Sequence, residues 1–483
     1  MSKNKSNTPI ISFIGKNSEQ VTGSIILVTT NKGTQILLEC GSVQGGTVEE
    51  DYRDNSNSLN GINLEKVKYL FINHSHFDHS GSAPRAVKLG LKAKIIATHK
   101  TAKIMYPLLK DSAFINVKSA GYLTEKHKME IEPLYEENDV EAMFDNVYEY
   151  DTDTIHQLDE EISFRLLENN HVLGASSLEL FIKDVESNKT YKIFYSSDLG
   201  NVSIGERPYL SKLEYCKTAN VGIFESTYGD REEFLTKKDR KKELALMKKE
   251  ITDTCIRNGH TTIIPCFSFS RSQEIMTILY KMFKDDKQFD NIDFIVDSRL
   301  TKEIIKVYQE VLEGEDKKLF EEVLAWKNFS IISDFKKETA LVLKSTKPKV
   351  IISSSGMITA GHVIEYVKNY IEDKLSTIIF VGYAGENTIA GKLQTDIKTI
   401  VIDKNKQPYK KEIGIITLST FSSHMQKRDL VNYISSINCD KVVLVHGDKN
   451  AKESLKDSCR EELTNRNKST NIIVSERGMK VSL

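Results

Sequence analysis

Apolar and β-branched residues come in short runs through the first half of the chain, at 24–28, 35–38, 69–72, 94–97, 163–167, 178–182 and 192–195. Each run is four or five residues long, and most are bounded by Gly, Asn, Asp or Ser, as strands are by turn residues. Helical patterns fall between some of them, at 83–89 and 100–109. Strands and helices interleaved in this way predict an α/β layered domain. From about Phe234 the texture changes: 234–258, 272–283, 300–312 and 317–323 read as helices, and 262–264, 293–296, 349–352 and 377–381 as buried parallel strands. That β-helix-β alternation predicts a second, doubly wound domain. Strand character returns at 415–418, 441–445 and 471–474. With no internal repeat and no low-complexity linker, the domains are expected to pack tightly.

Composition narrows this only a little. A chain of 483 residues suits two or three domains, and 39% hydrophobic with 28% charged residues is the balance of a globular protein with a real core. No stretch approaches the roughly 18 apolar residues of a membrane span. The first 15 residues contain lysines but no apolar signal-peptide core. The expectation is no membrane and a cytoplasmic location. Six scattered cysteines without CxxC spacing read as reduced thiols, not as a disulfide frame or a thiolate metal site. The net charge of −1 argues neither for nor against a polyanionic partner, which needs only a local basic track. One dense run, Lys237-Lys238-Asp239-Arg240-Lys241-Lys242 with Lys248 and Lys249 after it, reads as a solvated helix face before it reads as such a track.

The chemistry concentrates in Asn73-His74-Ser75-His76-Phe77-Asp78-His79-Ser80-Gly81, directly after the apolar run 69–72 and therefore on a loop at a strand's end. The chain has 11 histidines in all, and three of them sit here within six residues, beside a carboxylate. A core gains nothing from clustered polar rings, whereas imidazole and carboxylate suit Zn²⁺. Tight spacing lets one loop offer ligands to two neighbouring ions.

His74-Ser75-His76-Phe77-Asp78-His79 matches the HxHxDH signature, so the chain resembles the metallo-β-lactamase superfamily. The resemblance implies an αββα sandwich. It also implies a lone His and a strand-ending Asp further on, which His171 in Asn169–Ala175 and Asp198 in Phe194–Gly200 supply. The family has an Asp before a Gly at the end of an early strand, supporting the ligands from behind. Leu38-Glu39-Cys40-Gly41 puts Glu39 there, one methylene longer.

Later motifs resemble the β-CASP branch, whose members process nucleic acids. They are Glu225-Ser226-Thr227-Tyr228-Gly229, the Pro265–Glu274 stretch, Asp297-Ser298 (followed by Arg299 in place of Pro), Ser355-Gly356-Met357, and Gly382–Thr388 with Asn387 in place of Gly. Phe421-Ser422-Ser423-His424 and Leu444-Val445-His446-Gly447 resemble its two late histidine motifs, and Val21-Thr22-Gly23-Ser24 agrees near the start. The likeness is nearest to the RNA endonuclease of the eukaryotic pre-mRNA 3′-end cleavage machinery and its shorter bacterial and archaeal relatives. It implies a metallo-β-lactamase fold at 1–229, an inserted β-CASP domain (a parallel sheet flanked by helices) at 230–420, and the remainder of the first domain at 421–483.

A His at the last motif, here His446, marks the RNA-cleaving members, and Phe77-Asp78 before His79 is the endonuclease-like form. The resemblance therefore implies hydrolysis of single-stranded RNA, leaving 5′-phosphate and 3′-hydroxyl ends, with 5′–3′ exonuclease action as an added option. Two Zn²⁺ are implied, one on His74, His76 and His171, the other on Asp78, His79 and His446, with Asp198 bridging. His424 is the implied general acid and Glu225 its orienting partner. RNA would thread between the two domains, with Arg271, Ser354, Ser355, Gly356, Thr388 and Ser423 as substrate contacts. For Arg271 an interface salt bridge stands beside that reading. Phe267 and Phe269 read as core, and His99, His127, His156, His260 and His362 as structural or surface residues. Gln426 departs from the Asp that often stands two residues after His424. Homodimers are common in the family. The alternatives are a hydrolase of DNA or another ester on the same site, and a non-catalytic RNA-processing subunit. The second would have lost ligands, and none is lost here.

Overall fold

A computed structural model describes residues 8–184, 186–332, 336–382, 384–402 and 407–483. Tyr383 of the Gly382–Thr388 turn lies outside the described residues. The chain forms two compact units, the first from Met1–Val202, Leu210–Phe234 and Ser423–Leu483, the second from Ser203–Tyr209 and Leu235–Ser422.

The first unit is built on two seven-stranded sheets. One runs, in spatial order, Lys480–Ser482, Ile10–Phe13, Ile26–Thr29, Gln35–Leu38, Val67–Phe71, Lys94–Thr98 and Val147–Tyr150. The other runs Asn471–Val474, Asn438–Val445, Thr218–Glu225, Lys189–Tyr195, Ser176–Asp184, Ile162–Glu168 and His156–Gln157. Side chains alternate across a strand, and here both faces are covered. Ile36 and Leu38 enter a cluster with Phe164, Leu180, Ile193 and Val443 of the opposite sheet. Leu37, between them, points the other way into a cluster with Met105, Leu109 and Val140 of the outer helices His99–His127 and Glu137–Phe144. Lys427–Ser436 and Lys449–Asn465 cover the second sheet through Leu430, Ile434 and Leu455 against Phe194, Phe224 and Leu444. The order of layers is helix, sheet, sheet, helix, the αββα sandwich expected from sequence. Double coverage is why these strands read as unbroken apolar runs although many pair antiparallel.

The second unit has one six-stranded sheet, ordered Phe329–Ile331, Asp293–Asp297, Lys349–Ser353, Thr261–Pro265, Thr377–Phe380 and Gly414–Thr417, with every pairing parallel. Ile263, Ile351, Ile378 and Phe380 pack against Val363, Tyr366 and Val367 of the helix Val363–Tyr370. By sequence, 203–209 falls in the first segment, but the structure packs it into the second unit. The reason is local: Tyr209 shares a 2.6 Å hydroxyl contact with Thr277, and Arg207 lies 3.5 Å from the Glu274 carboxylate.

One expectation needs revising. The helix predicted at 100–109 runs on to His127, through Pro107, and stops only where Lys128 turns left-handed. The lysine-rich stretch is the helix Lys237–Thr252, where Lys242 pairs with Asp239 and Lys249 with Asp253 on a solvated face as expected, while Arg240 turns inward and is buried against Glu274. All six cysteines are free and buried. Among the described residues no helix is long and apolar enough to cross a membrane.

Candidate metal centre

Every residue expected at the metal site stands at or just after the C-terminal end of a strand of the first unit. Glu39 follows Gln35–Leu38, the His74–His79 loop follows Val67–Phe71, and His171 follows Ile162–Glu168. Asp198 follows Lys189–Tyr195, Glu225 closes Thr218–Glu225, and His446 follows Asn438–Val445. The chain must turn sharply to aim these side chains inward. Glu39, Asn170, Ser197 and His446 all take left-handed backbone, with φ of 61°, 61°, 50° and 54°. Each such residue costs on the order of 1–3 kcal/mol and persists where function requires it. Two glycines make the close packing possible. A Cβ on Gly41 would sit 1.7 Å from the Asp78 carbonyl oxygen, and one on Gly200 would sit 1.9 Å from that of Asn170.

Two sets of ligand atoms converge. Nε2 of His74 and Nε2 of His171 lie 3.1 and 3.3 Å from Nδ1 of His76, and each lies 3.6 Å from Oδ2 of Asp198. In the second set, Nε2 of His79 is 3.3 Å from Nε2 of His446, 3.6 Å from Oδ2 of Asp78 and 3.3 Å from Oδ1 of Asp198. His446 Nε2 is also 3.3 Å from Asp78 Oδ2. Ligands about 2.0–2.1 Å from a tetrahedral zinc stand about 3.3–3.4 Å apart. The observed edges match, and Asp198 turns one oxygen to each set. Among the described residues its buried Oδ1 has no hydrogen-bond donor, and nitrogen lone pairs pointed at one another inside a protein call for a cation. The residues fit a metal cofactor.

The electrostatics of His74 and His76 agree. Burial holds the His74 imidazole well below the ordinary histidine range, and it pulls His76 down to about 4, so both keep lone pairs for a metal. Burial also opposes charge on His79, but Asp198 and Asp78 outweigh it and hold that ring well above the usual value. Burial disfavours the Asp198 carboxylate too. The neighbouring His446 and His79 prevail and keep it ionised.

Glu39 reaches its targets despite the extra methylene. Its Oε1 lies 3.4 Å from Nδ1 of His79 and accepts a 3.0 Å hydrogen bond from the Ser197 hydroxyl, while Oε2 accepts from the Asn73 backbone at 3.1 Å. Ser197 in turn lies 3.1 Å from Nδ1 of His74. One carboxylate thus orients two ligand rings, one of them through a serine. Thr227 does the same for His446, its hydroxyl 3.0 Å from Nδ1. Neither Ser197 nor Thr227 stood out by sequence, because a hydroxyl carries no metal signal. Their places, directly before Asp198 and inside Glu225–Gly229, were the available hints.

Beside the ligands, Nδ1 of His424 lies 3.1 Å from Oε2 of Glu225, whose Oε1 also accepts from the Leu199 backbone at 2.6 Å. Burial works against a charge on His424. Glu225 and Asp198 outweigh it and push the imidazole up to about 10. The His424 and His171 ring centroids are 4.8 Å apart. Gln426 donates to the Asn201 side chain at 3.3 Å, and the Asn201 amide donates to the Ser423 carbonyl at 3.0 Å, so this loop is anchored without the Asp. His99, His127, His260 and His362 pair with single carboxylates and join no ligand cluster among the described residues.

The residues expected to touch substrate in the second unit have mixed fates. Arg271 is 7% exposed and ion-paired with Glu274, beside Arg207 and Arg240. It is a buried anchor within the unit and not an open arm. Together with Gly356, Pro265 and Phe380 it walls a shallow hollow at the strand ends. The Thr388 hydroxyl caps the helix Ile389–Leu393, which accounts for it locally. Ser354 donates to Ser298 at 2.7 Å, and Ser355 accepts from the Thr359 amide at 3.0 Å. Phe269 is core as expected, but Phe267 is 45% exposed because it stands on the rim of that hollow.

Comparison with known proteins adds three matches to families. Residues 272–393 match the Beta-Casp domain, 408–472 the RNA specificity domain of Zn-dependent metallo-hydrolases, and 15–206 the anti-Pycsar protein Apyc1. An RNase J-like protein of Methanocaldococcus jannaschii is 28% identical over 433 residues, 89% of this chain and 91% of that one. Transcription termination factor FttA of the same organism is 28% identical over 455 residues, which are 91% of this chain and 67% of the factor. A crystal structure of a protein of unknown function from Enterococcus faecalis V583 shares the fold, with a TM-score of 0.52 at 14% identity over 99% of this chain and all of that one.

Proposed function

This chain belongs to the β-CASP family of the metallo-β-lactamase superfamily, and from its site we propose that it is a two-zinc ribonuclease that hydrolyses single-stranded RNA. The observation that carries the proposal is Asp198, which divides its carboxylate between two complete sets of largely buried ligand residues beside the His424–Glu225 pair. RNA as substrate is supported by the match to an RNA specificity domain and by the RNase J-like relative. A homodimer completes the reading.

His74, His76 and His171 would hold one Zn²⁺, Asp78, His79 and His446 the other, and Asp198 both. When bound, zinc supplies Lewis acidity, which lowers the pKa of a water and draws charge from a phosphate. Asp78 and Asp198 cancel two of four positive charges, and the remainder favours an anionic phosphodiester. His424 has its Nδ1 held by Glu225, so its Nε2 carries the proton for the leaving ribose oxygen, an assistance worth roughly 10²–10⁴ in rate. Attack by water leaves a 5′-phosphate and a 3′-hydroxyl. Glu39, Ser197 and Thr227 keep the ligand rings turned inward.

The test compares wild type and His424→Ala on labelled single-stranded RNA and DNA of one sequence, each with zinc and with chelator. Zinc-dependent cleavage of RNA alone, reduced about 10²–10⁴-fold in the variant, is expected. Equal cleavage of DNA, or full activity in the variant, would overturn the assignment.

A further inference from the structure

Lys452 is a buried cation that the chemistry described above does not use. It is 2% exposed and stands near the N-terminal end of the helix Lys449–Asn465, where the helix's own positive end disfavours it. Among the described residues no carboxylate pairs with it. Its ammonium donates instead to two backbone carbonyls, that of Ser18 and, at 2.9 Å, that of Ser475. Burial draws its pKa below the ordinary lysine value, the mark of an ammonium taken out of water. What the two bonds hold is the backbone of His446. Ser18 closes the turn Lys16–Ser18, and the carbonyl before it, that of Asn17, accepts the His446 N–H at 2.6 Å. Ser475 follows the strand Asn471–Val474, and its N–H donates at 3.0 Å to the carbonyl of Leu444, two residues before His446. The Ser475 hydroxyl also donates to the Ser18 carbonyl, at 3.0 Å. These bonds close a circuit, from His446 through Asn17 and Ser18 to the ammonium and back through Ser475 and Leu444. His446 needs such bracing, because its φ of 54° is left-handed and persists only where the surroundings enforce it.

We propose that Lys452 is a positioning residue for the second ligand set: through Ser18 and Asn17 its ammonium fixes the backbone of His446, so that the imidazole meets Asp78 and His79 around one ion. Among the described residues it bonds to none of the ligands itself. Thr227 holds the His446 ring at Nδ1, 3.0 Å away, whereas Lys452 holds the peptide that carries the ring. The first set lies outside the circuit, since His74, His76 and His171 stand on loops that follow the strands Val67–Phe71 and Ile162–Glu168. Loss of the ammonium is therefore felt at one ion and not at the other. The inference rests on the two-zinc reading above.

Zinc titration of the metal-free full chain against a competing chelating dye tests it, with Lys452→Met, which keeps the length of the side chain and removes the ammonium. Wild type is expected to bind two ions. The variant should bind one of them about 10–100-fold more weakly, the usual effect of losing an outer support, and the other unchanged. In a His446→Ala background, which lacks the group being positioned, Lys452→Met should produce no further weakening. Leu455→Ala is the control for a merely structural role. It opens a cavity on the same helix, against the second sheet, and should lower the melting temperature while leaving both zinc affinities in place. Ser475→Ala removes one bond to the Ser18 carbonyl and keeps the ammonium, so it decides in place of Lys452→Met if that variant does not fold; it should weaken the same ion about two- to tenfold. With two ions bound to wild type, a variant that weakens both alike, weakens neither, or adds to His446→Ala overturns the positioning role and leaves the two-zinc reading standing. A wild type that binds fewer than two ions overturns that reading itself.

Discussion

Glu225 shows what a single residue decides at this site. Its carboxylate grips Nδ1 of His424, so the proton to be donated sits on the other nitrogen, and its charge favours the protonated ring. A group whose folded pKa lies above its ordinary value stays charged at low pH and loses its proton as pH rises through the folded pKa. His424 therefore governs the alkaline limb of the rate profile. Glu225→Gln removes the carboxylate charge, so that limb should move to lower pH, toward the ordinary histidine value of about 6.5. A pH–kcat profile on RNA measures the displacement, and an unmoved limb would exclude His424 as the acid. Glu39 was readable by sequence as a departure from the family's Asp. That it serves His79 directly and His74 through Ser197 needed the side-chain positions.

Helices in the second unit are pinned by a charge cluster of which sequence alone presents one member, Arg271, as a candidate substrate contact. Glu274 stands in the helix Arg271–Phe283, Arg240 comes from Lys237–Thr252, and Arg207 from the segment Ser203–Tyr209. Burial opposes the Glu274 charge, but the three arginines win and draw its pKa down to about 2. From its usual 4.5 this is worth about 3 kcal/mol of stability. The sign follows from the depressed value: the contribution is complete above about 4.5 and lost as pH falls toward 2. Glu274→Gln leaves three guanidinium groups without a counter-charge and should cost about 3–5 kcal/mol. Urea titrations at pH 7 and pH 3 check this, since the gap between wild type and variant should narrow in acid. Arg271 was legible as important. Its partner was not, because Glu274, one helical turn on, is equally a surface pair by sequence.

For the molecule as a whole, metal and stability should be linked. Buried imidazoles and carboxylates that meet at 3.1–3.6 Å form a favourable arrangement only around cations. Zinc at about 100 times its dissociation constant adds about 2.7 kcal/mol, so chelation should lower the first melting transition by about 5–10 °C, and added zinc should restore it. A transition unmoved by chelator would mean the site does not hold metal in solution. Much of the architecture was determined by sequence. Short apolar runs place the strands because a doubly covered sheet must be apolar on both faces, and histidines with carboxylates in one loop fix the chemistry because packing has no use for them. What only the tertiary structure decided is how separated segments meet. The inclusion of 203–209 in the second unit and the division of Asp198 between two ligand sets depend on contacts between residues tens to hundreds of positions apart. So do the hydroxyl groups that hold the ligand rings. Local pattern carries no record of such distances, since burial and long-range pairing exist only once the chain has closed on itself.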